Sequence, residues 1–309
     1  MNNELVVMTH NDLDALGSML NLEYALPGVP KKFYHTNYSN INEIVDEIEE
    51  YIKRNGNTHI ICPDVSFSDN KGALERLYNL ANVVHIDHHM YPDGFWDVFP
   101  DMKVSWDKTK SATLLTNEYF KNTGKNANLD KLTYLIDVYD LWQKDSPHFG
   151  VSQDLNEYFW ACGIEWLFNE IVKNDYTLPS NFTNVVQNIR KECATAIASF
   201  EERKLIQRAG EITFCFVDSW FNQIMLKEMA EGKNFVIGIT SYGIVKIRIR
   251  EEAPYTEAQK QELRLELTGN DNIGHLNAFT YKIFKQDVKF DDIMEEVQKI
   301  TKLLERIMG

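Results

Sequence analysis

At 309 residues the chain is long enough for one large or two ordinary domains, each with its own core. Its 44% hydrophobic and 25% charged residues fit a globular protein, and no apolar run approaches the ~20 residues that span a bilayer. A net charge of −14 argues against passive binding of long nucleic acid, which needs a basic face.

Met1-Asn2-Asn3-Glu4 has neither a basic region nor a secretory core, so a cytoplasmic protein is expected. Leu5-Val6-Val7-Met8 reads as a first strand and runs into Thr9-His10-Asn11-Asp12-Leu13-Asp14. A helix over Ala15–Glu23 follows, in which Gly17 and Ser18 suit close packing. Lys32–His35 is a second strand, and Asn40–Arg54 an amphipathic helix with Ile41, Ile44, Val45, Ile48 and Ile52 at helical spacing. His59-Ile60-Ile61-Cys62 runs into Pro63-Asp64, helix Asn70–Leu80 follows, and Val83-Val84-His85-Ile86 delivers Asp87-His88-His89. Alternating strands and helices imply βαβ units and a mostly parallel, doubly wound sheet.

Beyond a turn at Tyr91–Gly94, Lys103–Trp106 reads as a short strand, with helices at Ser111–Lys121 and Leu129–Leu141. Asp154 to about Lys204 is helical and aromatic, broken at Leu178-Pro179-Ser180. After Gly210 the pattern predicts strand Glu211–Val217, helix Trp220–Glu231, and a strand pair over Phe235–Ser241 and Gly243–Arg250. Helix Thr256–Leu267, strand Thr280–Phe284 and helix Asp291–Met308 complete an α/β organisation of three parts: 1–150, a helical connector over 151–208, and a smaller α/β domain over 209–309.

Three apolar strands thus carry acids and histidines to one sheet edge, where open α/β sheets bind ligands. Carboxylate and imidazole without thiolate suit Mn²⁺, Mg²⁺ or Fe²⁺ better than structural zinc, which suggests a metal-assisted hydrolase. Cys62, Cys162, Cys193 and Cys215 lack metal or redox spacing and are expected to be reduced and buried. Taken singly, Asp12 and Asp14 could merely cap a helix. His85 is expected to pack within its strand, and His35 could approach the edge. Tyr158, Phe159, Trp160, Trp166 and Phe168 read as core or oligomer face before base-stacking groups. Lys246-x-Arg248-x-Arg250 alternates, so the three cations share one sheet face.

His10-x-Asp12-x-Asp14, Asp64, Asp87-His88-His89, Asp140 before an aromatic, Arg248 in a strand, and Gly274-His275-x-Asn277-Ala278 form an ordered set. Together they resemble the DHH phosphoesterases with a C-terminal DHHA1 domain, among them nanoRNase-type oligoribonucleases and RecJ-like phosphodiesterases. The resemblance implies two Mn²⁺ ions, Mg²⁺ or another divalent ion being possible. His10 and Asp12 would bind the first, Asp14, His88 and Asp140 the second, and Asp64 both; Asp137, one helical turn before Asp140, is the competing acid. A two-metal hydroxide mechanism follows from the family, and two cations stabilise both attacking and leaving oxygens. Asp87 would orient an imidazole and His89 would touch the phosphate. Arg248, His275, Gly274 and Asn277 would hold the substrate, and a guanidinium suits phosphate better than Lys246 does. Ala15 stands where the family commonly has glycine, and Asn272-Ile273-Gly274-His275 replaces its Gly-Gly-His run.

The expected activity is hydrolysis of short oligonucleotides or linear dinucleotides to 5′-mononucleotides, with no membrane partner and with homo-oligomers possible. Alternatives are a single-strand-specific DNA exonuclease, a cyclic-dinucleotide phosphodiesterase, a 3′-phosphoadenosine-5′-phosphate phosphatase, an inorganic pyrophosphatase, and a non-catalytic scaffold that binds nucleic acid or protein.

Overall fold

The computed structural model describes residues 4–37, 40–56, 59–269, 276–283 and 288–308. The chain divides into two compact units, Met1–Ile189 and Arg190–Gly309. In the first, β1 (Leu5–Thr9), α1 (Leu13–Ala25), β2 (Lys31–His35), α2 (Ile41–Asn55), β3 (His59–Pro63), α3 (Lys71–Leu80), β4 (Asn82–Asp87) and β5 (Lys103–Trp106) alternate. Helices α4 (Ala112–Tyr119), α5 (Ala127–Asp140), α6 (Phe149–Cys162) and α7 (Ile164–Lys173) follow, and α8 (Phe182–Glu202) runs across the division.

The strands form one parallel sheet in the order β2-β1-β3-β4-β5. Parallel strands buried on both faces read as continuous apolar runs, and all five residues of β1 are buried. On α2, Ile41, Val45, Ile48 and Ile52 turn inward, and Gly56 ends the helix in the left-handed region at φ 72°. Because β2 lies on one side of β1 and β3 on the other, strand order reverses between β1 and β3. That reversal opens the crevice at the carboxyl ends of the strands.

Gly17 brings α1 against α4: a Cβ there would fall 2.1 Å from Thr113 Oγ1 and 2.7 Å from Ile136 Cδ1. Small residues at this crossing therefore set the spacing of the two helices. Tyr158 and Phe159 are core residues, whereas Trp160 and Trp166 are exposed.

The second unit contains β6 (Ile206–Ala209), β7 (Ile212–Cys215), α9 (Phe221–Ala230), β8 (Phe235–Ile239), β9 (Ile244–Ile249), α10 (Glu257–Thr268), β10 (Ala278–Lys282) and α11 (Phe290–Met308). Its sheet runs β10-β9-β8-β7-β6, with β7 and β8 parallel and the other pairs antiparallel. The sequence pattern does not predict β6: in Ile-Gln-Arg-Ala only Ile206 is buried, so hydrophobic alternation does not mark it. Helix α10 begins with a capping box formed by Thr256 and Gln259, and Gly269 ends it at φ 71°. No helix among the described residues is long and apolar enough to cross a membrane.

Candidate metal centre

The crevice between β1 and β3 is where the acids converge. His10 and Asp12 leave β1, Asp64 leaves β3, His88 and His89 follow β4, and Asp140 ends α5. Potential ligand atoms of His10, Asp12 and Asp64 lie within 4.8 Å of one another, as do those of Asp14, His88 and Asp140. The two groups are neighbours, since His88 Nε2 is 3.8 Å from both Asp14 Oδ2 and Asp64 Oδ1, and 3.6 Å from Asp140 Oδ2. These separations are too long for hydrogen bonds. They suit atoms that share one cation at about 2.1 Å each.

Further signs agree with a cation site. Asp64 Oδ2 and Asp140 Oδ2 are buried without a hydrogen-bond partner among the described residues, an arrangement that costs free energy unless something else satisfies them. Burial, then the charges of Asp12, Asp14 and Asp140, push the Asp64 carboxyl well above the ordinary carboxylate range. Burial and the charges of Asp14, Asp12 and Asp137 do the same to Asp140. Asp14 is also raised, chiefly by burial. At Asp12 desolvation acts upward too, but the hydrogen bond and charge of His10 outweigh it and hold that group at about 2. Carboxylates crowded in this way are the hard oxygen donors that divalent cations take, and the residues present fit such an ion.

The scaffold fixes each ligand separately. Asp14 is 2% exposed, and its two carboxylate oxygens accept from the Ala112 and Thr113 N–H groups at 2.8 Å each, in the first turn of α4. A helix N-terminus favours negative charge, so α4 both aims and holds this acid. Thr113 Oγ1 also donates to the Asp14 carbonyl at 2.8 Å. Asp12 accepts from Ala15 N at 3.0 Å and is therefore helix cap and cluster member together. Ala15 is an ordinary buried residue of the first turn of α1. Asp64 adopts φ 56°, a left-handed backbone that Asp tolerates better than most residues, while its N–H donates to Ile86 O at 2.9 Å. Asp137 is turned elsewhere: it accepts from Ser111 N at 2.8 Å.

Behind the histidines lies a buried network in which the sequence reading names Asp87 with an imidazole partner but not Tyr91 or the link to His85. Asp87 accepts from His89 Nδ1 at 2.7 Å through one oxygen and from the Tyr91 hydroxyl at 2.5 Å through the other. His85, fully buried, lies 3.0 Å from the same hydroxyl. Burial pushes Asp87 upward, but His89 and His85 win and keep it well below the carboxylate range. Burial lowers His89, and Asp87 more than reverses that, so His89 is raised. The sequence places Tyr91 in a turn, and no spacing rule links it to Asp87. His35 places Nδ1 3.3 Å from the His10 carbonyl, and Cys62 is strand core.

In the second unit, the Lys246 ammonium and the Arg248 guanidinium lie 5.8 and 5.7 Å from the ring centroid of Phe221. Burial and the Arg248 charge lower Lys246. Arg250 is engaged by Asn234 Oδ1 at 2.7 Å, which separates it from the other two. Arg248 pairs in register with Ala278, beside Asn277, whose Oδ1 is buried without a hydrogen-bond partner among the described residues. Gly274 and His275 fall outside the described residues.

With this geometry the chain shares the fold of RecJ exonucleases. RecJ from Thermus thermophilus, solved with Mn²⁺, matches 98% of this chain and 52% of its own at TM-score 0.62 and 12% identity. A manganese-bound exonuclease RecJ matches 99% of this chain and 89% of its own, at TM-score 0.57 and 12% identity. The pGpG-specific phosphodiesterase PggH of Vibrio cholerae matches over 97% of this chain and 98% of its own, at TM-score 0.57 and 13% identity. No family model and no curated protein matches the sequence.

Proposed function

We propose that the protein is a Mn²⁺-dependent phosphodiesterase that hydrolyses short oligonucleotides or linear dinucleotides to 5′-mononucleotides. The observation that carries this reading is the pair of His/Asp groups at the β1/β3 crevice, with Asp64 and Asp140 oxygens buried and otherwise unsatisfied. His10, Asp12 and Asp64 would hold one ion, Asp14, His88 and Asp140 a second, with Asp64 within reach of both. Divalent ions held there would supply Lewis acidity toward a phosphoryl oxygen and lower the pKa of a bound water.

The chain's own groups do the rest. Asp87 holds His89 through Nδ1, so His89 meets a phosphate oxygen through Nε2 and donates toward the charge that builds there. Arg248, with Lys246 near it, would bind a substrate phosphate, the guanidinium bidentately. The net charge of −14 and the fold likeness to a pGpG-specific phosphodiesterase support a short substrate.

The test is hydrolysis with Mn²⁺ of a labelled series from dinucleotide to long single strands in RNA and DNA, with cyclic di-AMP, 3′-phosphoadenosine-5′-phosphate and pyrophosphate alongside. Rates that fall steeply beyond a few nucleotides are expected. Processive cutting of long strands makes it an exonuclease, preference for one of the three small compounds reassigns the substrate, and no hydrolysis of any leaves a binding scaffold.

A further inference from the structure

One aromatic ring borders the metal centre in a way that the ligand set does not explain. Trp106 is the last residue of β5 and stands opposite Asp87 in the parallel register. Its indole Nε1 donates to the His89 carbonyl at 2.7 Å, yet the residue remains 42% exposed. The chain leaving β5 is also fixed, because Asp107 Oδ1 accepts from Thr109 N at 2.9 Å and from Thr109 Oγ1 at 2.6 Å. Met90, next to His89 in sequence, is 66% exposed.

Indole has a single polar atom, and here the backbone of a site residue satisfies it. What remains toward solvent is an apolar π-face on a side chain with little freedom left to lose. Exposing such a face gains nothing for folding, whereas a flat partner stacked on it is favourable by dispersion and electrostatics. The opposite flank differs: β2 ends in His35, a smaller and more polar ring, near the His10 carbonyl. The exposed indoles of Trp160 and Trp166 lie on α6 and α7, which carry none of the ligand groups.

We propose that Trp106 is a nucleobase-stacking platform that binds the base next to the phosphate addressed by His89. This rests on the phosphodiesterase reading and narrows it: the substrate must carry a base on the β5 side of the centre. Because the ring is tied to the peptide of His89, base and phosphate are held at a fixed separation, and binding orients the ester for reaction. Stacking tolerates any base, so purine and pyrimidine dinucleotides are bound alike apart from ring size.

The experiment compares a 5′-phosphorylated diadenylate with its abasic counterpart, in wild type, Trp106→Ala and Trp106→Phe, with Mn²⁺. Wild type is expected to favour the base-bearing substrate, and Trp106→Ala to raise its KM about tenfold with far less change on the abasic one. Trp106→Phe keeps a ring and restores most of the KM. Equal losses on both substrates in Trp106→Ala, or none on either, overturn the platform. Quenching of intrinsic fluorescence by adenosine 5′-monophosphate gives a second readout, expected in wild type and lost in Trp106→Phe. That quenching without cleavage of any ester keeps the platform and overturns the phosphodiesterase. Cleavage indifferent to the base does the reverse, and neither signal overturns both.

Discussion

Both units of the molecule bury acids, and they solve the resulting problem in opposite ways. On α9, Glu228 is fully buried, but Arg208 grips both carboxylate oxygens and Thr213 Oγ1 donates at 2.7 Å. Burial pushes Glu228 upward, and Arg208 with Thr213 overcomes it, so the group ends below the ordinary glutamate value. At the β1/β3 crevice Asp64 and Asp140 have no such arginine and are driven upward instead. A buried carboxylate needs a counter-charge; the second unit supplies it from its own sequence, and the first assembles acids and imidazoles, the donors of a divalent cation.

That contrast can be broken at several points. Asp64→Asn should lower hydrolysis by more than about a hundredfold. It should also raise the melting temperature of metal-free protein, because it relieves like-charge crowding; wild-type turnover, or a lower metal-free melting temperature, would remove Asp64 from the centre. Glu228→Gln should act in the reverse sense, costing about 3–5 kcal/mol in denaturant unfolding while divalent-cation binding at the β1/β3 crevice stays unchanged. Gly17→Ala forces a methyl onto Thr113 and should cost about 2 kcal/mol, read from the shift in denaturant midpoint at constant m. Tyr91→Phe removes the hydroxyl from Asp87 and should reduce kcat about tenfold with little change in KM, as expected for a group that acts through His89.

The smallest effect is on pH dependence, and its sign differs between the two regions. Asp64 and Asp140 have folded pKa values above 3.8, so without metal the folded state holds more protons and stability falls as pH rises past that value. Glu228 has a folded pKa below 4.5, so its contribution is present above pH 4.5 and is lost as pH falls through the folded value. Melting curves taken in chelator from about pH 2 upward should therefore fall toward the acid end through Glu228 and fall with rising pH above 3.8 through Asp64 and Asp140, and Mn²⁺ should lift the upper limb alone. Equal slopes there with and without Mn²⁺ would separate the acids from any cation.

Much of this is legible without any coordinates. Strands that end in His10, Asp64 and Asp87 announce a parallel sheet with polar groups at one edge, because apolar runs and their polar stops are both local signals. The same locality hides the supports of the site. Asp14 is held by the N–H groups of Ala112 and Thr113, about a hundred positions away, and backbone donors have no sequence signature. Tyr91 and His85 meet Asp87 through a turn whose path only tertiary packing sets. The choice between Asp137 and Asp140 needs the end of α5 to be located, since one helical turn decides which acid faces His88 and which bonds Ser111.

Asp64 carries a consequence for sequence drift. Its left-handed backbone, at φ 56°, narrows the residues the position accepts with ease to Gly, Asn and Asp. Two of those three lack the charge. On the function proposed above, a descendant of this chain that changes residue 64 by the easiest route would keep its fold and lose a cation ligand, and Asn or Gly at that one position would mark a lineage turned from hydrolysis to binding.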